Sequence, residues 1–142
     1  MTAKWVQLPD SSILKERSEP YLIRASGLSD AREHFRAGGA TVVEAHVGTA
    51  RSLVDVIGAL KGVLTFPDWC GSGWDSVHDA LAELREAWPL PLVILVDGLP
   101  QLIVEHPHLA LESVLGLSRL CEAFSMAGDQ ILVLYVGERW AE

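Results

Sequence analysis

A chain of 142 residues with 49% hydrophobic and 21% charged residues has the size and composition of one globular domain, which argues against disorder over most of its length. Its 19 acidic and 11 basic residues give a formal net charge of -8, which disfavours nucleic acid and anionic membranes as partners and favours a basic one. No stretch approaches the roughly 18–20 apolar residues of a membrane span, no signal-type apolar run follows Met1, and Cys70 and Cys121 make no disulfide framework; a cytoplasmic protein with free thiols is expected.

Residues 1–20 are mixed and weakly patterned and read as an arm. Tyr21 to Ala25 is a short apolar run that suits a strand, and Ser29 to Ala37 reads as a helix capped by Ser29 and stopped by Gly38-Gly39. Thr41 to Val47 is rich in β-branched residues and reads as a strand. Leu53, Val56, Ile57, Leu60 and Leu64 then recur at helical spacing. That helix starts after Ser52, with Asp55 completing a capping-box pattern, and ends before Pro67. A Pro/Gly-rich loop follows, then a helix from about Gly73 to Trp88, closed by Pro89. Leu92 to Val96 is a continuous apolar run of the kind found in parallel strands buried on both faces. A helical turn over 101–106, a longer helix from Leu109 to Ala127 ended by Gly128, and a buried strand from Ile131 to Val136 complete the chain. Strands alternating with helices predict an α/β domain around a small parallel sheet.

The most informative stretch runs from Phe66 to Leu81. Here an aromatic-bearing loop enters a helix that opens with two carboxylates one turn apart, Asp75 and Asp79. At 100° per residue, Asp75, Asp79, Glu83 and Glu86 fall within an arc of about 80°. Val77, Leu81, Leu84 and Trp88 take the opposite side. Between Asp68 and Glu86 the chain carries Asp68, Asp75, Asp79, Glu83 and Glu86 against Arg85 alone, so negative charge is concentrated here. Such a stripe also serves as an ordinary solvated helix face, and Asp75 also fits an N-terminal cap with Ser72. The neighbouring Trp69, Trp74 and His78 tilt the reading toward an interface, because rigid rings anchor a protein partner while charges steer it.

The loop and helix resemble the barstar family, intracellular inhibitors of small secreted ribonucleases. That family has a Pro-acid-aromatic-aromatic-Gly loop, a Trp/Leu-Asp pair, a second Asp four residues on, and then a Leu. The matching residues here are Pro67-Asp68-Trp69-Cys70-Gly71, Trp74-Asp75, Asp79 and Leu81. The order of the flanking strands and helices extends the resemblance over about residues 41–137.

The resemblance implies a three-stranded parallel sheet packed with helices in a barstar-like domain of residues 41–137. An N-terminal extension of residues 1–40, with room for a further strand and helix, precedes it, and a tail of residues 138–142 follows. It also implies a stoichiometric inhibitor, or immunity protein, that plugs the active site of a basic ribonuclease or ribonuclease-like toxin. Asp79 would stand where the substrate phosphate sits, facing the enzyme's basic residues. Asp75 would support it, and Trp69 and Trp74 would pack on the enzyme. Gly73, His78 and Glu83 complete the expected contact set, with Glu122 on the last helix a further candidate. The pattern departs at Cys70, where a second aromatic is common, at Gly73, where Asn is common, and at His78, where an aromatic is common.

Asp75, His78 and Asp79 at i, i+3 and i+4 could begin a metal site, but no second ligand cluster accompanies them, so no metal or other cofactor is expected. Cys70, His78 and Asp79 lack an oxyanion site or a local catalytic signature, so no enzyme is expected. Gly71-Ser72-Gly73 lacks the Lys and spacing of a phosphate loop. The alternative left open is a non-inhibitory barstar-like regulatory or scaffold protein that binds an unrelated partner.

Overall fold

A computed structural model describes residues 4–5, 20–67, 69–84, 89–90, 92–126 and 131–138. The elements in chain order are β1 (Lys4–Trp5), β2 (Tyr21–Arg24), a 3-10 turn (Ala25–Gly27), α1 (Leu28–Ala37), β3 (Thr41–His46), α2 (Leu53–Leu64) and α3 (Trp74–Leu84). They continue with β4 (Pro89–Leu90), β5 (Leu92–Asp97), α4 (Leu99–Glu105), α5 (Pro107–Met126) and β6 (Ile131–Gly137). The main sheet is parallel throughout, in the order β2-β6-β5-β3, and β1 pairs with β4 in a separate two-stranded parallel ribbon.

The expected three-stranded sheet is therefore corrected to four strands. Tyr21–Arg24 adds to the outer edge of β6, with Tyr21 opposite Leu134 and Ile23 opposite Val136. Without β2 that edge of β6 would present unpaired backbone groups along a fully buried apolar strand.

The continuous apolar runs of β5 and β6 make sense once both faces of the sheet are covered. On one face Leu92, Ile94, Val96, Ile131, Val133 and Tyr135 pack with side chains of α2, α3 and α5. On the other, Val93, Leu95, Leu132, Leu134 and Val136 pack under Ala31 and Phe35 of α1 and Ile23 of β2. Side chains alternate across a strand, so a strand covered on both sides loses the polar alternation of an exposed one.

Two caps differ from the sequence expectation. Helix α1 starts one residue early, at Leu28, with Gly27 at its N-cap, so Ser29 lies inside the helix and makes no cap bond. Ser52 is the N-cap of α2 with an extended backbone, yet its side chain makes no cap bond. The Asp55 carboxylate accepts the Arg51 N–H at 2.9 Å instead, which shifts the reciprocal bond of a capping box by one residue.

The β2–α1 unit is tied to the sheet by a forked ion pair. Arg32 Nε donates to Glu44 Oε2 at 3.0 Å and Arg32 Nη2 to Glu44 Oε1 at 2.8 Å. The hydrogen bonds from Arg32 hold the Glu44 carboxyl below its ordinary range. A carboxyl whose pKa is lower when folded contributes stability above its unfolded value of about 4.3, and that stability is lost as pH falls through the folded value. Urea midpoints measured from pH 6 to pH 3 should fall more steeply for the native chain than for Glu44→Gln. Parallel curves would show that the pair contributes nothing.

Candidate protein-binding site

The loop between α2 and α3 is held at three points. Helix α2 ends on Thr65, in the left-handed region at φ 50, whose N–H returns to Lys61 O. Cys70 N–H then donates to Pro67 O at 3.0 Å, closing a four-residue turn that presents Trp69 outward, 53% exposed. Finally, Lys61 Nζ donates to the Cys70 carbonyl at 2.7 Å, fastening the loop to the last turn of α2. Asp68 lies outside the described residues.

Cys70 is buried, with its thiol 3.5 Å from the carbonyl oxygens of Gly71 and Ser76. It fills the inside of the loop, so at this position the chain supplies a small interior residue and leaves Trp69 as the projecting ring.

Helix α3 is amphipathic, as its spacing requires. Val77, Ala80 and Leu81 are buried, whereas Asp75, His78, Asp79 and Glu83 are exposed. Gly73 is exposed ahead of the helix and accepts the first-turn N–H of Val77 at 3.2 Å. Asp79 has a side chain 71% exposed, and its nearest opposite group among the described residues is His78, with Nδ1 3.8 Å from Oδ1. No guanidinium among the described residues neutralises it. The His78 ring is 48% exposed at its side chain and rests on Phe124 of α5, with centroids 5.0 Å apart and planes at 38°. Glu86 and Trp88 lie outside the described residues.

Trp74 differs in placement from the other expected contact residues. It is half-buried, joins the core face made by α2, α3 and α5, and lays its indole on Gly116 of α5. Its Nε1 is buried without a hydrogen-bond partner among the described residues. A Cβ at Gly116 would overlap the indole ring, so helix α5 needs glycine there despite its poor helix propensity. Gly116→Val should cost about 1–3 kcal/mol in urea unfolding through overpacking. Combining it with Trp74→Leu, which vacates the space, should recover part of that loss. Strictly additive losses would mean that the two residues do not share this contact.

The spacing of α3 located its exposed face, but three supports of the site were not legible. Lys61 is nine residues from the carbonyl it holds, and a lysine in the last turn of a helix reads as a partner of the helix dipole. Gly116 reads as a helix-weakening residue until the indole is placed on it, and Phe124 as ordinary core. Glu122, the further candidate on α5, is exposed but sits two residues from Phe124, about 160° around the helix, so it points away from His78.

Taken together, the loop and α3 present exposed carboxylates at Asp75, Asp79 and Glu83 and an exposed indole at Trp69. Carboxylates so displayed can receive arginine side chains bidentately. No group of three or more His, Cys, Asp or Glu side chains among the described residues is arranged to hold a metal ion, and no described helix is long and apolar enough to cross a membrane.

A family model described as "Barstar (barnase inhibitor)" matches residues 40–136, whereas no curated protein matches the chain. The matched segment spans more than half of the sequence and contains the whole loop and helix α3, so the chain belongs to the Barstar family.

Proposed function

We propose that the protein is a stoichiometric inhibitor, in the role of an immunity protein, of a small basic ribonuclease or ribonuclease-like toxin. It acts in the cytoplasm by seating its acidic loop-helix in the enzyme's active site. The observation that carries this reading is the Asp79 carboxylate, 71% exposed on a rigid helix and unpaired with any arginine among the described residues. Asp75 one turn before it and Glu83 one turn after extend the negative stripe, and Trp69, exposed on the loop that leads into α3, serves as the apolar anchor.

The enzyme's active site must carry positive charge to bind the RNA phosphate, and the same charge accepts a carboxylate held at that position. The chain's net charge of -8 adds long-range attraction for a basic enzyme, which raises the association rate and weakens with salt. Gly73 leaves room for close backbone approach at the start of α3, since nothing lies within 4 Å of where its Cβ would be. The protein supplies geometry and charge, with no chemical step and no cofactor.

Calorimetric titration against barnase and other small basic ribonucleases, paired with an RNA-cleavage assay, tests this. One-to-one binding without added metal and loss of cleavage at equimolar inhibitor are expected. Undiminished cleavage with every such enzyme would refute the proposal.

A further inference from the structure

We propose that His78 makes this binding face pH-sensitive: the neutral ring admits a cationic partner, and the protonated ring opposes it. The inference rests on the proposed inhibitory role and concerns how that role is regulated.

The geometry supplies the argument. His78 lies on the exposed side of α3, three residues after Asp75 and one before Asp79, with its Nδ1 3.8 Å from Asp79 Oδ1. Its ring is steadied by Phe124 of α5, so the imidazole is held at the face rather than trailing into solvent. A residue needed only to cover Phe124 could be any apolar side chain. This one instead places a titratable edge beside the carboxylate proposed to meet the partner's cations.

Among the described residues the charged groups around it are few. On α3 they are Asp75 and Asp79, with Glu83 further along the stripe. On α5 the charged residues near Phe124 are Arg119 and Glu122, both exposed, and each lies more than about 120° around the helix from Phe124. Neither forms an ion pair with His78 among the described residues. The ring's charge state is therefore felt mainly at Asp79 and by whatever docks there.

Histidine changes charge between about pH 5 and 8. Its proton would place a positive charge within about 4 Å of the decoy carboxylate, offsetting that charge and repelling an approaching arginine or lysine. Binding of a cationic partner thus favours the neutral ring. Affinity is full above the histidine range and falls as pH drops through it.

The experiment measures barnase affinity at pH 8.0 and pH 5.5, at low fixed ionic strength, for the native full-length chain, His78→Phe and His78→Lys. Circular dichroism at both pH values checks that each variant is folded. The native chain should lose roughly tenfold more affinity on acidification than His78→Phe, which keeps a ring on Phe124 without a titratable group. His78→Lys should bind weakly at both pH values. Equal acid-induced losses in the native chain and His78→Phe, or tight binding by His78→Lys, would overturn this inference and leave the inhibitory reading standing. No binding by the native chain at either pH, to barnase or to any of the other small basic ribonucleases, would overturn both.

Discussion

Asp79→Ala should weaken binding to a cognate ribonuclease by about 3–5 kcal/mol, a loss of roughly two to three and a half orders of magnitude in affinity. The side chain is 71% exposed in the free protein, so removing it leaves the fold of α3 untouched. In the complex the reverse holds: the enzyme's cations, desolvated by the interface, would face a methyl group. An uncompensated buried charge is what makes such truncations severe. Asp75→Ala should cost distinctly less, about 1 kcal/mol, because a carboxylate at the margin stays in partial contact with water. Inhibition titrations check both, with urea unfolding as the control for folding. An Asp79→Ala protein that inhibits as well as the native chain would remove Asp79 from the centre of the interface, and with it the proposed mode of action.

The second large effect is expected on the opposite side of the sheet. Phe35 of α1 is fully buried against Val93, Leu95, Leu132 and Leu134. Phe35→Ala should destabilise the protein by about 3–5 kcal/mol, combining the lost transfer energy with the cavity left behind. Domains of this size are stable by only about 5–15 kcal/mol, so the variant should be marginal. Urea unfolding gives the stability, and affinity corrected for the folded fraction should be unchanged, because Phe35 belongs to one core cluster and α3, which carries the exposed Asp79, packs in the other. A loss under about 1 kcal/mol would mean that α1 does not seal this face. The family match begins at residue 40, yet Ile23, Ala31 and Phe35 complete the second core cluster, so this part of the core is built from residues that precede the matched segment.

The sequence disclosed most of the fold because periodicity carries it. Leu92–Asp97 and Ile131–Gly137 are apolar at every position before their ends, which only a strand covered on both faces tolerates. Helix α2 has its buried Val56, Ile57, Leu60 and Leu64 at the spacing that predicted it. The fourth strand was harder to place: Tyr21–Arg24 is short, and nothing local indicates that its partner is Leu134–Gly137, at the far end of the chain. Cap chemistry misled for a different reason. Ser29 and Ser52 both have the right side chain, but Gly27 and the Arg51 N–H took the positions that mattered. In the site, exposure of Asp75, Asp79 and Glu83 followed from helix phase, whereas the seating of Trp74 on Gly116 depends on how two helices cross and has no signature within either.

The parallel sheet also governs the order of assembly. No two hydrogen-bonded neighbours in it are joined by a hairpin, and β2, made early, finds its place only beside β6, made last, with Tyr21 aligned to Leu134. Closing so long a loop is entropically slow and cannot begin until β6 has been synthesised. A nascent chain paused before Ile131 would therefore lack the docking partner of its own N-terminal strand. A newly made molecule thus acquires its finished sheet only after Ile131–Gly137 has been made.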